Sequence, residues 1–229
     1  TMALETDPHQ QVRDFIYRHR NYFEDLDRAA EATAERIGAR HGETGSALRP
    51  HLRHTHDVRT TNVSRTAQQL GRRTDLHYYD TADHTLHLSP HLSPGQQVFR
   101  MATQLAFLEQ DDLIESILSA EHFESVEGRQ LARIDLAHHF AGALILPYSE
   151  FLRAAEQSKY DIELLADQFR VGYETITHRL STLQRPGARG VPFIFVRVDR
   201  AGNISKRQSA TDFHFSRTGG TCPLWNVYE

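Results

Sequence analysis

The stretch Phe99-Arg-Met-Ala-Thr-Gln-Leu-Ala-Phe107 decides the fold. Before it stand Ser93, Pro94, Gly95 and Gln96: an N-cap serine, a proline in the first helical position and a glutamine at N3. The segment therefore opens a helix. Residues four apart share a helical face, so Thr103 stacks on Phe107, with Arg100 one turn earlier on the same face. That face is partly apolar and carries one cation.

Working outward, a second apolar helix is predicted from about Glu127 to Leu146, stopped by Pro147. Further helices follow at Phe151 to Glu156, Asp161 to Phe169 and Tyr173 to Leu183. Gly187 and Gly190 mark a linker before the strand Val191 to Val198, and Asp199 to Asn203 make a turn. Upstream, Leu76 to Asp80 and Thr85 to Ser89 read as two short strands. At the N-terminus Asp7 and Pro8 cap a helix. Apolar residues then recur at Val12, Phe15, Ile16, Phe23, Leu26, Ala30, Ala34 and Ile37 until Gly38, which predicts one long amphipathic helix, a dimer contact or an arm, with His19 as a core histidine. The fold class is α+β, mostly helical, in three parts: 1–40 the long helix, 41–186 the core, 187–229 a strand and hairpin region.

With 229 residues the chain can bury a substantial core. A net charge of −4, from 26 Lys and Arg against 30 Asp and Glu, gives no global attraction to nucleic acid or acidic lipid. The single cysteine, Cys222, excludes an internal disulfide and points to a reducing, cytoplasmic setting. No signal peptide or membrane-length apolar run is present. The start at Thr-Met-Ala and the end at Glu229 read as those of an excised fragment.

Two histidine groups invite a metal reading: His51, His54 and His56, and His84, His87 and His91. Pro50 and Pro90 deny either group a continuous helical face, so surface histidines are expected rather than zinc ligands. In the helix of Phe99 the chemistry is missing outright. A His-Glu-x-x-His motif aims two imidazoles at one zinc and uses its glutamate on the metal-bound water. Positions 103 to 107 are Thr-Gln-Leu-Ala-Phe, with neither ligands nor base, so hydrolysis there is chemically unavailable.

The segments around that position, Phe99 to Glu109, Leu136 to Pro147 and Leu164 to Leu180, resemble the helical core of the ImmA/IrrE-type zinc peptidases. A resemblance over nearly the whole chain is to the short-chain fatty acyl transcriptional regulators of actinobacteria. It is carried by Gln11 to Phe15, Arg20 to Phe23, Leu26 to Ala30, and the long motifs Gly190 to Arg207 and Phe213 to Trp225. It implies a zincin-like pseudo-peptidase core without zinc, sensing of short-chain acyl-CoA in propionate or acetate metabolism, no catalysis, and DNA contact only through an N-terminal helix-turn-helix absent here. A homodimer is expected.

Under that resemblance, Arg100, Thr103, Gln104 and Phe107 are expected to border a recess for the acyl group, with Tyr148 a further lining residue. Arg197 alternates onto the strand face of Phe193 and Phe195, and Arg200, Lys206 and Arg207 cluster at the following turn; these six are expected to take the phosphates and adenine of coenzyme A. The family's further cysteines imply that Cys222 is one ligand of a 4Fe-4S cluster in the full-length protein. Two alternatives remain open: a helix-turn-helix at 161–183, whose acids Asp161, Glu163, Asp167 and Glu174 oppose phosphate, and a metallopeptidase using Asp135, His138 and His139, although adjacent helical residues diverge by about 100°.

Overall fold

In the computed structural model, residues 7–40, 42–62, 77–198 and 204–209 are described. The helix of the deciding stretch, here α4, spans Pro94–Glu109. It opens with a reciprocal capping box: the Ser93 hydroxyl accepts from Gln96 N at 3.3 Å, and the Gln96 side chain accepts from Ser93 N at 2.9 Å. Earlier in the chain lie α1 (Pro8–Arg18), α2 (Glu24–Arg36) and α3 (Thr44–His56), then strands β1 (Arg59–Asn62), β2 (His77–Asp80) and β3 (Thr85–Leu88). After α4 come α5 (Asp111–Ser119), α6 (Val126–Ile145), α7 (Tyr148–Gln157), α8 (Ile162–Phe169), α9 (Tyr173–Ser181), β4 (Ile194–Val198) and β5 (Ile204–Ser209).

Helix α6 is the axis of the core. From Leu136 to Ile145 only His138 is not buried, the signature of a helix surrounded by protein rather than edged by water. Helices α1, α2, α4 and α5 pack against it. Its start is pinned by Gln11 of α1, whose amide oxygen accepts from Glu124 N at 2.9 Å and whose NH2 donates to Ser125 Oγ at 3.2 Å. Gly128 makes this approach possible: a Cβ there would lie 2.8 Å from the Gln11 oxygen.

The expected single N-terminal helix is two. Arg20 and Asn21 both adopt left-handed backbone (φ 51° and 55°), ending α1 and turning the chain into α2. No glycine or proline marks the break. Asn21 is buried and donates to Ser181 Oγ at 2.8 Å, so a partner 160 positions away fixes the turn. Val12 and Phe15 on one side, and Leu26, Ala30 and Ala34 on the other, enter the same core as α6.

A three-stranded sheet runs β1-β3-β2, with β1 parallel and β2 antiparallel to the buried β3. Strand β1 and helix α5 were not anticipated. Nor was α3, which continues through Pro50: the proline is exposed and the helix turns around it, giving His51 and His56 a shared element after all. The C-terminal hairpin pairs β4 with β5 antiparallel and lies beside α1 and α9.

Candidate functional site

Helix α4, which carries Arg100, Thr103, Gln104 and Phe107, packs against α6. Thr103 does not line a surface. It is 3% exposed, and its hydroxyl donates to the Phe99 carbonyl of its own helix at 2.8 Å, so it is a core residue rather than a lining one. Phe107 is half-buried beneath the Arg133 guanidinium, 4.6 Å from its ring centroid. Gln104 and Arg100 are half-buried on the same helix. Arg100 lies beside Phe99 (5.9 Å), whose ring packs on His138 of α6 at 5.3 Å. Burial lowers the Arg100 pKa, and no carboxylate among the described residues pairs with it. The zinc that a peptidase of this core would hold has no ligands here: Thr103 is committed to its helix, Gln104 is neutral and Phe107 is apolar.

Asp135, His138 and His139 do not form a replacement site. His138 Nδ1 lies 3.9 Å from Asp135, whereas His139 is buried on another face, 3.6 Å from Asp27.

Tyr148, expected at the pocket, belongs to a buried ionic network that the sequence reading missed. Its hydroxyl accepts from Arg185 N and donates to the Ala188 carbonyl, both at 2.8 Å. Its ring lies 4.0 Å from the Arg185 guanidinium and 5.4 Å from that of Arg179. At the centre is Asp27, fully buried. Arg179 donates to it twice (2.6 and 3.2 Å) and Arg185 once (3.1 Å). Arg179 Nε also donates to the Leu146 carbonyl at 2.9 Å, closing the end of α6, while Arg185 reaches Glu31 (2.6 Å) and Tyr22 (3.0 Å). Burial pushes the Asp27 carboxyl up, but the Arg179 charge overcomes it and holds the pKa well below the ordinary range. Tyr22 is pushed up to about 12, chiefly by burial. One signal was available: Asp27 falls on the Phe23, Ala30 and Ala34 stripe, where a lone acid must find a buried partner.

Of the residues expected for coenzyme A phosphates, Phe193 packs on Tyr160 at 5.5 Å and Phe195 is half-buried. The ladder places position 197 opposite 206, 195 opposite 208 and 196 opposite 207. Position 206 therefore joins the face of 195 and 197, and 207 belongs to the other. Arg200 and Cys222 lie outside the described residues. In the segment 161–183, Arg179, one of its two arginines, is the buried partner of Asp27 rather than a surface group for phosphate.

The metal reading of the first histidine group changes. His51, His56 and Glu109 converge, with His54 exposed. In the second group His87 stacks on Tyr78 (4.9 Å), and His84 and His91 are exposed.

Residues 61–181 match the IrrE N-terminal-like domain, and residues 182–229 match the short-chain fatty acyl coenzyme A regulator, C-terminal. The chain is 54% identical over 224 residues to the HTH-type transcriptional regulator RamB of Mycobacterium tuberculosis, across 98% of this chain and 46% of that protein. It is 50% identical over 222 residues to PrpR, an HTH-type transcriptional regulator of the same organism, across 97% of this chain and 45% of that one. A solved M. tuberculosis transcriptional regulator is similar with a TM-score of 0.89 at 50% identity, covering 96% of this chain and 65% of that chain. The chain spans about half the length of the curated relatives it matches. An IrrE-like domain over 61–181, followed over 182–229 by the C-terminal region of the short-chain fatty acyl coenzyme A regulators, together with these relatives, gives its place: the chain belongs to the PrpR- and RamB-like short-chain fatty acyl regulator family.

Proposed function

We propose that the chain is the ligand-sensing part of a cytoplasmic transcriptional regulator of short-chain fatty acid metabolism, propionate or acetate, and that it binds short-chain acyl-CoA without catalysis. One observation carries the reading. Arg100 is a half-buried cation with no carboxylate paired to it among the described residues, set beside Phe99 on the helix where a peptidase would bind zinc. Desolvating a charge without a partner is unfavourable, and an anionic ligand supplies the countercharge that the cation lacks. The opposed positions Arg197 and Lys206, with Arg207 and Arg200, supply further cations for the coenzyme phosphates.

DNA contact, on this reading, lies with a helix-turn-helix outside these residues, and the working form is a homodimer. No helix among the described residues is long and apolar enough to cross a membrane. One cysteine cannot ligate a 4Fe-4S cluster alone, so Cys222 would share one with thiolates beyond this chain.

Calorimetry with acetyl-, propionyl- and free coenzyme A tests the proposal. Saturable binding is expected, weakened about tenfold to a hundredfold by Arg100→Gln or Arg197→Ala, the loss from one charge-assisted hydrogen bond. No binding at millimolar ligand, or hydrolysis of peptide substrates by the purified chain, would overturn it.

A further inference from the structure

Away from the degenerate motif, the end of α3 and the last residue of α4 form a three-sided set of ligand atoms. His51 Nε2 lies 2.6 Å and His56 Nε2 2.8 Å from the same oxygen of Glu109, Oε1. The three ligand atoms all fall within 4.8 Å of one another. All three side chains are largely shielded, at 13%, 19% and 12% exposure. The two imidazoles meet edge to face, with centroids 5.5 Å apart, so both nitrogens point inward at the carboxylate.

We infer that this cluster is a binding site for a divalent transition metal, with zinc the best fit. Two imidazoles and one carboxylate form a donor set that suits zinc and its neighbours and disfavours magnesium and calcium, which take oxygen ligands. A tetrahedral zinc with bonds of about 2.0–2.1 Å sets its donors about 3.3 Å apart. The nitrogens therefore need to withdraw from Oε1 by only about 0.5 to 0.7 Å, which side-chain rotation at a helix end supplies.

The surroundings complete the site. Thr55 Oγ1 lies 3.2 Å from His51 Nδ1. When Nε2 binds metal the imidazole proton sits on Nδ1, and the Thr55 hydroxyl is placed to accept it, as second ligands around metal-bound histidines do. Arg36 of α2 holds the other carboxylate oxygen, Oε2, at 2.5 Å, which keeps Oε1 turned toward the histidines. Its charge tempers the affinity. Three protein ligands leave the fourth position for water or a small anion. Occupancy ties α3 to the C-terminal end of α4, the helix that carries Arg100 and Gln104. The metal site is separate from the vanished peptidase site and does not depend on the acyl-CoA reading.

The chain, freed of metal by chelator, is titrated with zinc in competition with a chromophoric chelator, and in parallel with magnesium. One tight zinc per chain and no magnesium binding are expected, with cobalt giving the visible absorption of a tetrahedral site. His56→Gln and Glu109→Gln should each weaken zinc binding at least tenfold, and Thr55→Val by roughly tenfold or more. His87→Ala, in the separate Asp80, Asp83 and His87 group, should leave it unchanged. Should Glu109→Gln unfold the chain through loss of the Arg36 pair, His56→Gln at the end of α3 gives the same reading. Absence of stoichiometric zinc, or zinc binding that His56→Gln leaves intact in a folded protein, would overturn the inference and leave the cluster an ion pair.

Discussion

Replacing Asp27 by asparagine keeps the side-chain shape and removes one charge from the buried network. Arg185 would still have Glu31 and Tyr22. Arg179, 1% exposed, would keep the Leu146 carbonyl, Thr182 Oγ1 and one neutral amide oxygen, with no anion. A guanidinium left buried without its anion is the unfavourable state, and breaking such a pair costs about 3–5 kcal/mol. For a chain of this size that is a fall in melting temperature of roughly 6–20 °C. The assay is urea denaturation followed by circular dichroism, reading the midpoint at constant slope. Pairing Asp27→Leu with Arg179→Met closes a double-mutant cycle, and the double variant should be markedly more stable than the sum of the singles predicts, because neither charge is then stranded. If Asp27→Asn lost less than about 1 kcal/mol, or the cycle showed additive effects, the network would not hold the four helices and the 182–188 segment together as argued.

What could be read from the sequence follows from range. Helices α4, α6, α7, α8 and α9 carry their own signals: the Ser93 box, the stop at Pro147, the Asp161 cap and a 3.6-residue apolar period. The pairing of β4 likewise announces itself through the alternation of Val191 to Val198, while the expected turn at Asp199 to Asn203 lies outside the described residues. The break at Arg20 and Asn21 does not, because its cause is a hydrogen bond to Ser181 and the local sequence runs on in helical period. Pro50 misled in the other direction, since a helix turn facing solvent tolerates a lost backbone bond that a buried one would not. The α5 period at Leu113, Ile114, Ile117 and Leu118 was there to be read. At the site, the missing zinc motif was visible because its spacing is local. The Asp27, Arg179 and Arg185 set spans more than 150 positions, and His51 and Glu109 are 58 apart, so only the fold could pair them. Thr103, expected to border a recess, is buried against its own helix, since periodicity alone cannot say how far a neighbouring helix reaches around.

Three smaller perturbations test the same physics. Arg20→Gly, at an exposed left-handed position, should raise stability by about 0.5–1 kcal/mol, seen as a higher urea midpoint, while Arg20→Val should lower it. Ser93→Ala removes the cap of α4 and should cost about 1 kcal/mol, with faster amide exchange in the first turn as the local sign. The third concerns acid. His139 is buried, and burial together with the Arg179 charge keeps its pKa below the ordinary value despite Asp27 nearby. In the unfolded chain it takes a proton near pH 6.5, so between there and its folded pKa the unfolded state binds more protons and stability falls as pH drops. Asp27 adds a second loss of the same sign: its folded pKa is depressed, so its contribution is present above about pH 4 and disappears below. Urea midpoints at pH 7, 5 and 3 should therefore decline more steeply in the native chain than in His139→Phe across the upper interval, and more steeply than in Asp27→Asn across the lower one, which crosses the unfolded carboxylate pKa. Parallel curves for His139→Phe and the native chain would show that this imidazole is protonated in the folded protein, and that its burial is balanced by Asp27 after all.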